Sequence, residues 1–134
     1  MKKLILLFSV IALTFTSCGS DDDSGSGQDQ FIGFWKYTQY LEDGVVQELD
    51  LCEDLDTILI SANGTYNSKG YYDYGDGCEL DYDESGTWEN LGSGNYSSTS
   101  DGDTYVVHIE FSGNQMFLDE VYEGVTYRDV YTRQ

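Results

Sequence analysis

Three cysteines, one histidine and 25 acidic side chains are the groups in this 134-residue chain with chemistry to offer. Cys52 and Cys78 make an even pair, and Cys18 stands apart near the start. Two thiolates binding a metal would want further Cys or His close by. The single His108 lies between Val107 and Ile109, where strand alternation turns it to the outer face. Nucleophilic catalysis needs a nucleophile, a base and an orienting group, and no such set is spaced here. Paired carboxylates can hydrolyse glycosides, but among so many acids no pair is singled out. Asp73-x-x-Asp76 and Asp101-x-Asp103 offer carboxylates to Ca²⁺, yet neither fits the EF-hand loop. No glycine-rich phosphate loop opens a helix. We therefore expect no catalytic residue, no metal site and no cofactor. With only 6 Lys and Arg the net charge is −19, which repels phosphate and excludes nucleic acid as a partner.

The address comes next. Met1-Lys2-Lys3 is a basic start, and Leu4 to Phe15 is an uncharged apolar run. That run is shorter than the ~20 residues a bilayer demands and has the layout of an export leader. Phe15-Thr16-Ser17-Cys18 resembles a bacterial lipobox, with Phe15 where Leu is usual. The Ser and Asp run after Cys18 resembles the surface-export signal of Bacteroidetes-type lipoproteins. These resemblances imply a signal peptide over 1–17, acyl chains on Cys18, and an outer-membrane, surface-exposed location. Each buried CH₂ contributes about 0.8 kcal/mol, so several chains anchor stably. Residues 18–30 carry no apolar side chain after Cys18 and form a flexible acidic tether. Loss of Lys2 and Lys3 would take the net charge to about −21, favouring a monomer.

In an exported chain Cys52 and Cys78 are expected to form a disulfide. Closing that loop is worth about 3–4 kcal/mol.

The elements that must position these groups are strands. Residues 31–134 alternate with period two, in eight segments: 33–41, 56–61, 64–74, 81–90, 94–100, 103–111, 115–122 and 125–133. Gly, Asn and Asp fill the joins, and proline is absent. Eight antiparallel strands with one apolar face close into an up-and-down barrel, which removes exposed edges. Alternation places Trp35, Tyr37, Leu41, Ile58, Ile60, Tyr66, Tyr72 and Trp88 inside. It does the same for Tyr105, Val107, Ile109, Phe111, Met116, Leu118, Val125, Tyr127 and Tyr131.

Gly33-Phe34-Trp35 resembles the G-x-W motif of lipocalins, and Arg133 matches the late arginine of that family. Together with Asn63-Gly64-Thr65-Tyr66, Gly86-Thr87-Trp88 and Phe111-Ser112-Gly113-Asn114 the pattern resembles lipocalin-like domains of Bacteroidetes lipoproteins. The resemblance implies that Gly33, Trp35 and Arg133 plug a closed end, with a cation–π contact between the last two.

A meander puts connections one, three, five and seven at one end. Cys52 and Cys78 lie in connections one and three, so topology makes them neighbours. The same end collects Glu42, Asp43, Glu48, Asp50, Glu53, Asp54, Asp56, Asp73, Asp76, Glu79, Asp81, Asp83 and Glu84. Connections two, four and six carry no charge. The resemblance to lipocalins implies that the acidic end is the open mouth, which would favour cationic or polyhydroxyl ligands or divalent metal ions. The reading that charge alone favours is a solubilising surface. The expected function is non-catalytic binding of a small, partly apolar ligand by Tyr37, Tyr66, Tyr72, Trp88, Tyr105 and Tyr127. The alternative is a packed structural or interaction module whose acidic loops meet a partner protein or glycan. A cavity of at least about 300 Å³ opening among the odd connections separates the two.

Overall fold

The structure is a computed structural model and describes residues 27–134; the leader and Cys18 lie outside the described residues. Nine strands follow one another: β1 (Gly33–Glu42), β2 (Val45–Gln47), β3 (Thr57–Ile60), β4 (Thr65–Asp73) and β5 (Cys78–Gly92). Then come β6 (Asn95–Ser100), β7 (Asp103–Ser112), β8 (Gln115–Tyr122) and β9 (Val125–Arg133). All pairings are antiparallel. Strand β9 pairs with β1 and closes eight strands into a barrel. The short β2 is not a stave. It folds back on β1 within the first connection, which also holds a single 3₁₀ turn, Glu53–Leu55.

Alternation fails where the ladder bulges. Trp35 faces Arg133 and Tyr37 faces Tyr131, but the register slips between Tyr37 and Gln39, so Tyr40 faces Asp129. The extra residue reverses every later side chain of β1. Leu41, expected inside, therefore pairs with Arg128 on the outer face, and Tyr40 and Glu42 take the inner one. A second slip lies between Gly70 and Tyr71, opposite Asp81. Strand β5 also begins at Cys78, earlier than expected, because Asp73 pairs with Cys78 across a tight hairpin.

The core occupies the lower half of the tube. Trp35, Ile60, Tyr96, Ile109 and Met116 are buried, with Phe31 from the entering segment packed on them. Gly70 shapes one wall: a Cβ there would fall 2.1 Å from the Tyr82 ring, so only glycine lets that ring lie flat across β4. Burying each such large side chain contributes about 1.5–3 kcal/mol.

One seam is incomplete. Strands β7 and β8 pair only at Ile109–Leu118, Glu110–Phe117, Phe111–Met116 and Ser112–Gln115. Above those four pairs the two strands part. Residues Asp103–His108 stay bonded to β6, and Asp119–Tyr122 to β9.

Candidate ligand-binding site

The barrel has two unlike poles, built from the two sets of turns. At the sealed pole Trp35 is fully buried and its Nε1 donates to the Phe31 carbonyl at 2.8 Å. The Arg133 guanidinium lies over the Trp35 ring at 4.4 Å. It donates to the carbonyl of Ile32 at 2.7 Å and to that of Gln30. A Cβ on Gly33 would come within 3.0 Å of Arg133 Nη1, so glycine makes room for the guanidinium. Gly33, Trp35 and Arg133 are thus brought together as a plug.

The entering segment completes the seal, which sequence reasoning missed. Asp29 accepts from the Phe31 amide at 2.8 Å, the Tyr96 hydroxyl at 2.9 Å and Asn90 Nδ2 at 2.6 Å. Phe31 sits edge-on to Trp88 at 5.3 Å and on Tyr96 at 4.7 Å. By composition Asp29 and Gln30 belong to the end of the tether. Their polar composition hid a role set by contacts that are distant in sequence.

Above the plug is an apolar floor cavity of about 260 Å³, walled by Phe31, Ile58, Ile60, Trp88, Met116 and Leu118. Tyr66 and Trp88 both line it; Trp88 Nε1 donates to the Ser61 carbonyl at 2.9 Å and the Tyr66 hydroxyl to Glu84 at 2.7 Å.

The opposite pole is open. A cavity of about 620 Å³ is lined by Tyr37, Tyr40 and Tyr131 and by Glu42, Glu48, Asp50, Glu53, Asp56 and Asp129. The Cys52–Cys78 disulfide holds this mouth by tying the first connection to the start of β5. Asp56 fastens the same connection to β4, accepting from the Tyr71 amide at 2.8 Å while its own carbonyl accepts from Tyr37. Deeper in, the Tyr37 hydroxyl donates to Asp129 at 2.8 Å.

Burial raises the pKa of Asp129, against the Tyr37 hydrogen bond and helped by Glu120. Burial likewise raises Asp56, opposed by the Tyr71 amide and reinforced by Glu53 and Asp81. Burial and the Asp129 charge push the Tyr37 hydroxyl far above its ordinary range. A cation placed here would relieve all three groups. Among the described residues, no three His, Cys, Asp or Glu side chains converge as a metal site. The carboxylates are spread around a wide space, which suits an organic cation better than a metal ion.

The remaining candidates are scattered. Tyr127 faces inward and stacks on Tyr40 at 6.2 Å. Tyr72 and Tyr105 were expected to be inside but are 53% and 64% exposed, because each lies past the point where its strand leaves the packed core. Tyr72 stands at the rim, edge-on to Tyr74 at 5.0 Å. Tyr105 borders the parted seam. His108 is exposed, and its Nδ1 lies 3.3 Å from Asn95 Oδ1.

No curated protein matches this sequence. A family profile, the lipocalin-like domain, matches residues 31–118, well over half the chain and every stave from β1 into β8. With the barrel closed and its plug in place, this match shows that the chain belongs to the lipocalin-like domain family.

Proposed function

We propose that this protein is a non-catalytic carrier or receptor for a small, partly apolar ligand that bears a cationic group. The ligand's apolar part rests on the floor beside Trp88 and Met116, and its cation meets the Asp129–Tyr37 pair beneath the acidic mouth. The observation that carries this reading is the open interior. The mouth cavity of about 620 Å³ falls within the range of small-molecule sites, and an apolar floor lies beneath it. That interior supports binding over a fully packed interaction module.

The chain is exported and held by acyl chains on Cys18, its leader 1–17 removed and residues from 31 onward forming the barrel. It acts as a monomer at the cell surface, as in Bacteroidetes-type lipoproteins. The entering segment packs at the sealed pole, so an anchored barrel turns its mouth away from the lipid.

Native mass spectrometry of the purified protein tests the carrier reading directly: a co-purifying amine-bearing molecule is expected. Titration with decylamine and decanoate tests the charge preference. The amine should bind, weakening with salt as screening sets in, and the carboxylate should not. Equal binding of both, or of neither, would overturn the proposal. Mass analysis should also find acyl chains on Cys18, whereas an intact Met1 would remove the anchor.

A further inference from the structure

The unpaired seam between β7 and β8 is more than a ragged edge. A space of about 600 Å³ lies there, lined by Val107, Leu118 and Asp129 from inside the barrel. The same space is lined by Val106, His108 and Asp119, which alternation and the Asp119–Arg128 pairing place on the outer face. Both faces of the same strands can border one space only if that space passes between them. It also abuts the interior. It shares Val107 and Leu118 with the floor cavity, and Tyr40 and Asp129 with the mouth.

Nothing local forbids the strands from pairing. Neither lip contains proline or glycine, and Thr104, Tyr105, Val106 and Val107 are good strand formers. Continuing the observed register would set Val106 against Val121 outside and Tyr105 against Tyr122 inside. All four are instead more than 60% exposed. The lips of the slot thus expose apolar side chains beside His108, Asp119 and Glu120. The axial route runs past the mouth carboxylates, which an apolar chain would have to desolvate at a cost. At the slot, Asp119 is held by Arg128 through two contacts at 2.6 Å, which leaves Glu120 and the Tyr37-bonded Asp129 as the acids on the inner wall.

We infer that the slot between β7 and β8 is a lateral portal, through which the apolar chain of an elongated amine reaches the floor cavity while its head group stays at the acidic mouth. This inference rests on the carrier reading. It names the ligand as chain-like, because a side opening is needed only by a molecule too long to be swallowed end-on.

The test closes the slot. Val106→Cys with Val121→Cys places a disulfide across the lips, and Val106→Ser with Val121→Ser is the open control. The probe is an alkylamine with bromine at its far end, added to the full chain in stopped flow. Bromine reaching the floor quenches Trp88, while fully buried Trp35 serves as the internal reference. The bridged variant should show quenching slowed by about tenfold or more relative to the serine control. Equal rates in the two variants would overturn the portal and leave the carrier reading standing. Absence of quenching in the unaltered protein would overturn both. A second measurement needs no variant: the probe should slow amide hydrogen exchange at 104–108 and 119–122 more than along β4. Unchanged exchange at the lips would count against the portal even if the bridge fails to form.

Discussion

At the sealed pole every polar group that meets Trp35 has a partner. The indole donates to Phe31, the guanidinium of Arg133 donates to two carbonyls, and Asp29 gathers three donors. At the mouth the same architecture leaves carboxylates crowded, three of them (Glu53, Asp56 and Asp129) half-buried, with Asp56 and Asp129 disfavoured in their charged forms. One pole is built for stability and the other holds back some stability in return for an unfilled, charged space. The same tube tolerates both because they are separated by the length of the strands and share few side chains.

Perturbing one pole at a time sharpens that contrast. The largest effect is expected from Trp35→Ala, which empties the plug. It should cost about 3–5 kcal/mol in urea unfolding, and a loss under about 1 kcal/mol would mean that the sealed pole does not carry the fold. Replacing Cys52 and Cys78 by serine should cost about 3–4 kcal/mol. In that variant the near-ultraviolet signal of Trp35 should persist while decylamine binding weakens. Loss of both together would show that the poles are coupled. Arg133→Met leaves the Ile32 and Gln30 carbonyls without their donor and should cost about 1–3 kcal/mol. Arg128→Met, which breaks a solvent-screened pair with Asp119, should cost less than about 1 kcal/mol.

The smallest and most diagnostic change is Asp129→Asn. The folded protein holds a proton on Asp129 to higher pH than the unfolded chain does. Stability from this site therefore falls as pH rises through the interval between the unfolded and folded values. Asparagine can still accept from Tyr37 and carries no charge to desolvate. The variant should match or exceed the parent in thermal stability at neutral pH, lose that advantage in acid, and bind decylamine more weakly. Asp119, whose pKa Arg128 lowers, has the opposite sign: its contribution is present above the unfolded value and lost as pH falls through the folded one. A destabilised Asp129→Asn at neutral pH would mean that the mouth does not hold back stability.

Much of the barrel was legible from residue order because strand period and turn chemistry are local signals. Asn63-Gly64 and Gly113-Asn114 mark hairpins whatever surrounds them. The disulfide was legible because Cys52 and Cys78 make an even pair and counting turns puts both at the same pole. Leu41 was misplaced because the slip after Tyr37 depends on how β9 meets β1, and no residue near Thr38 announces it. Asp29 and Phe31 were missed because their partners Asn90, Tyr96 and Trp88 lie far along the chain. The parted seam left no trace at all, since Tyr105, Val106 and Val107 read as a good central strand. The six candidate aromatics fared unevenly for one reason: alternation tells which way a side chain points but not how far along the tube it sits.

The hydrogen bond from Arg133 to the Ile32 carbonyl spans 101 positions, and β9 closes onto β1 at the same place. Ring closure of that kind draws on sequence-distant partners, so the search for it is slow and sets the pace of folding. Until β9 arrives, β1 has only β2 and β3 beside it and Trp35 lies bare. The kinetics should accordingly show tryptophan burial lagging behind hairpin formation, so that the plug is the last part of the barrel to lock.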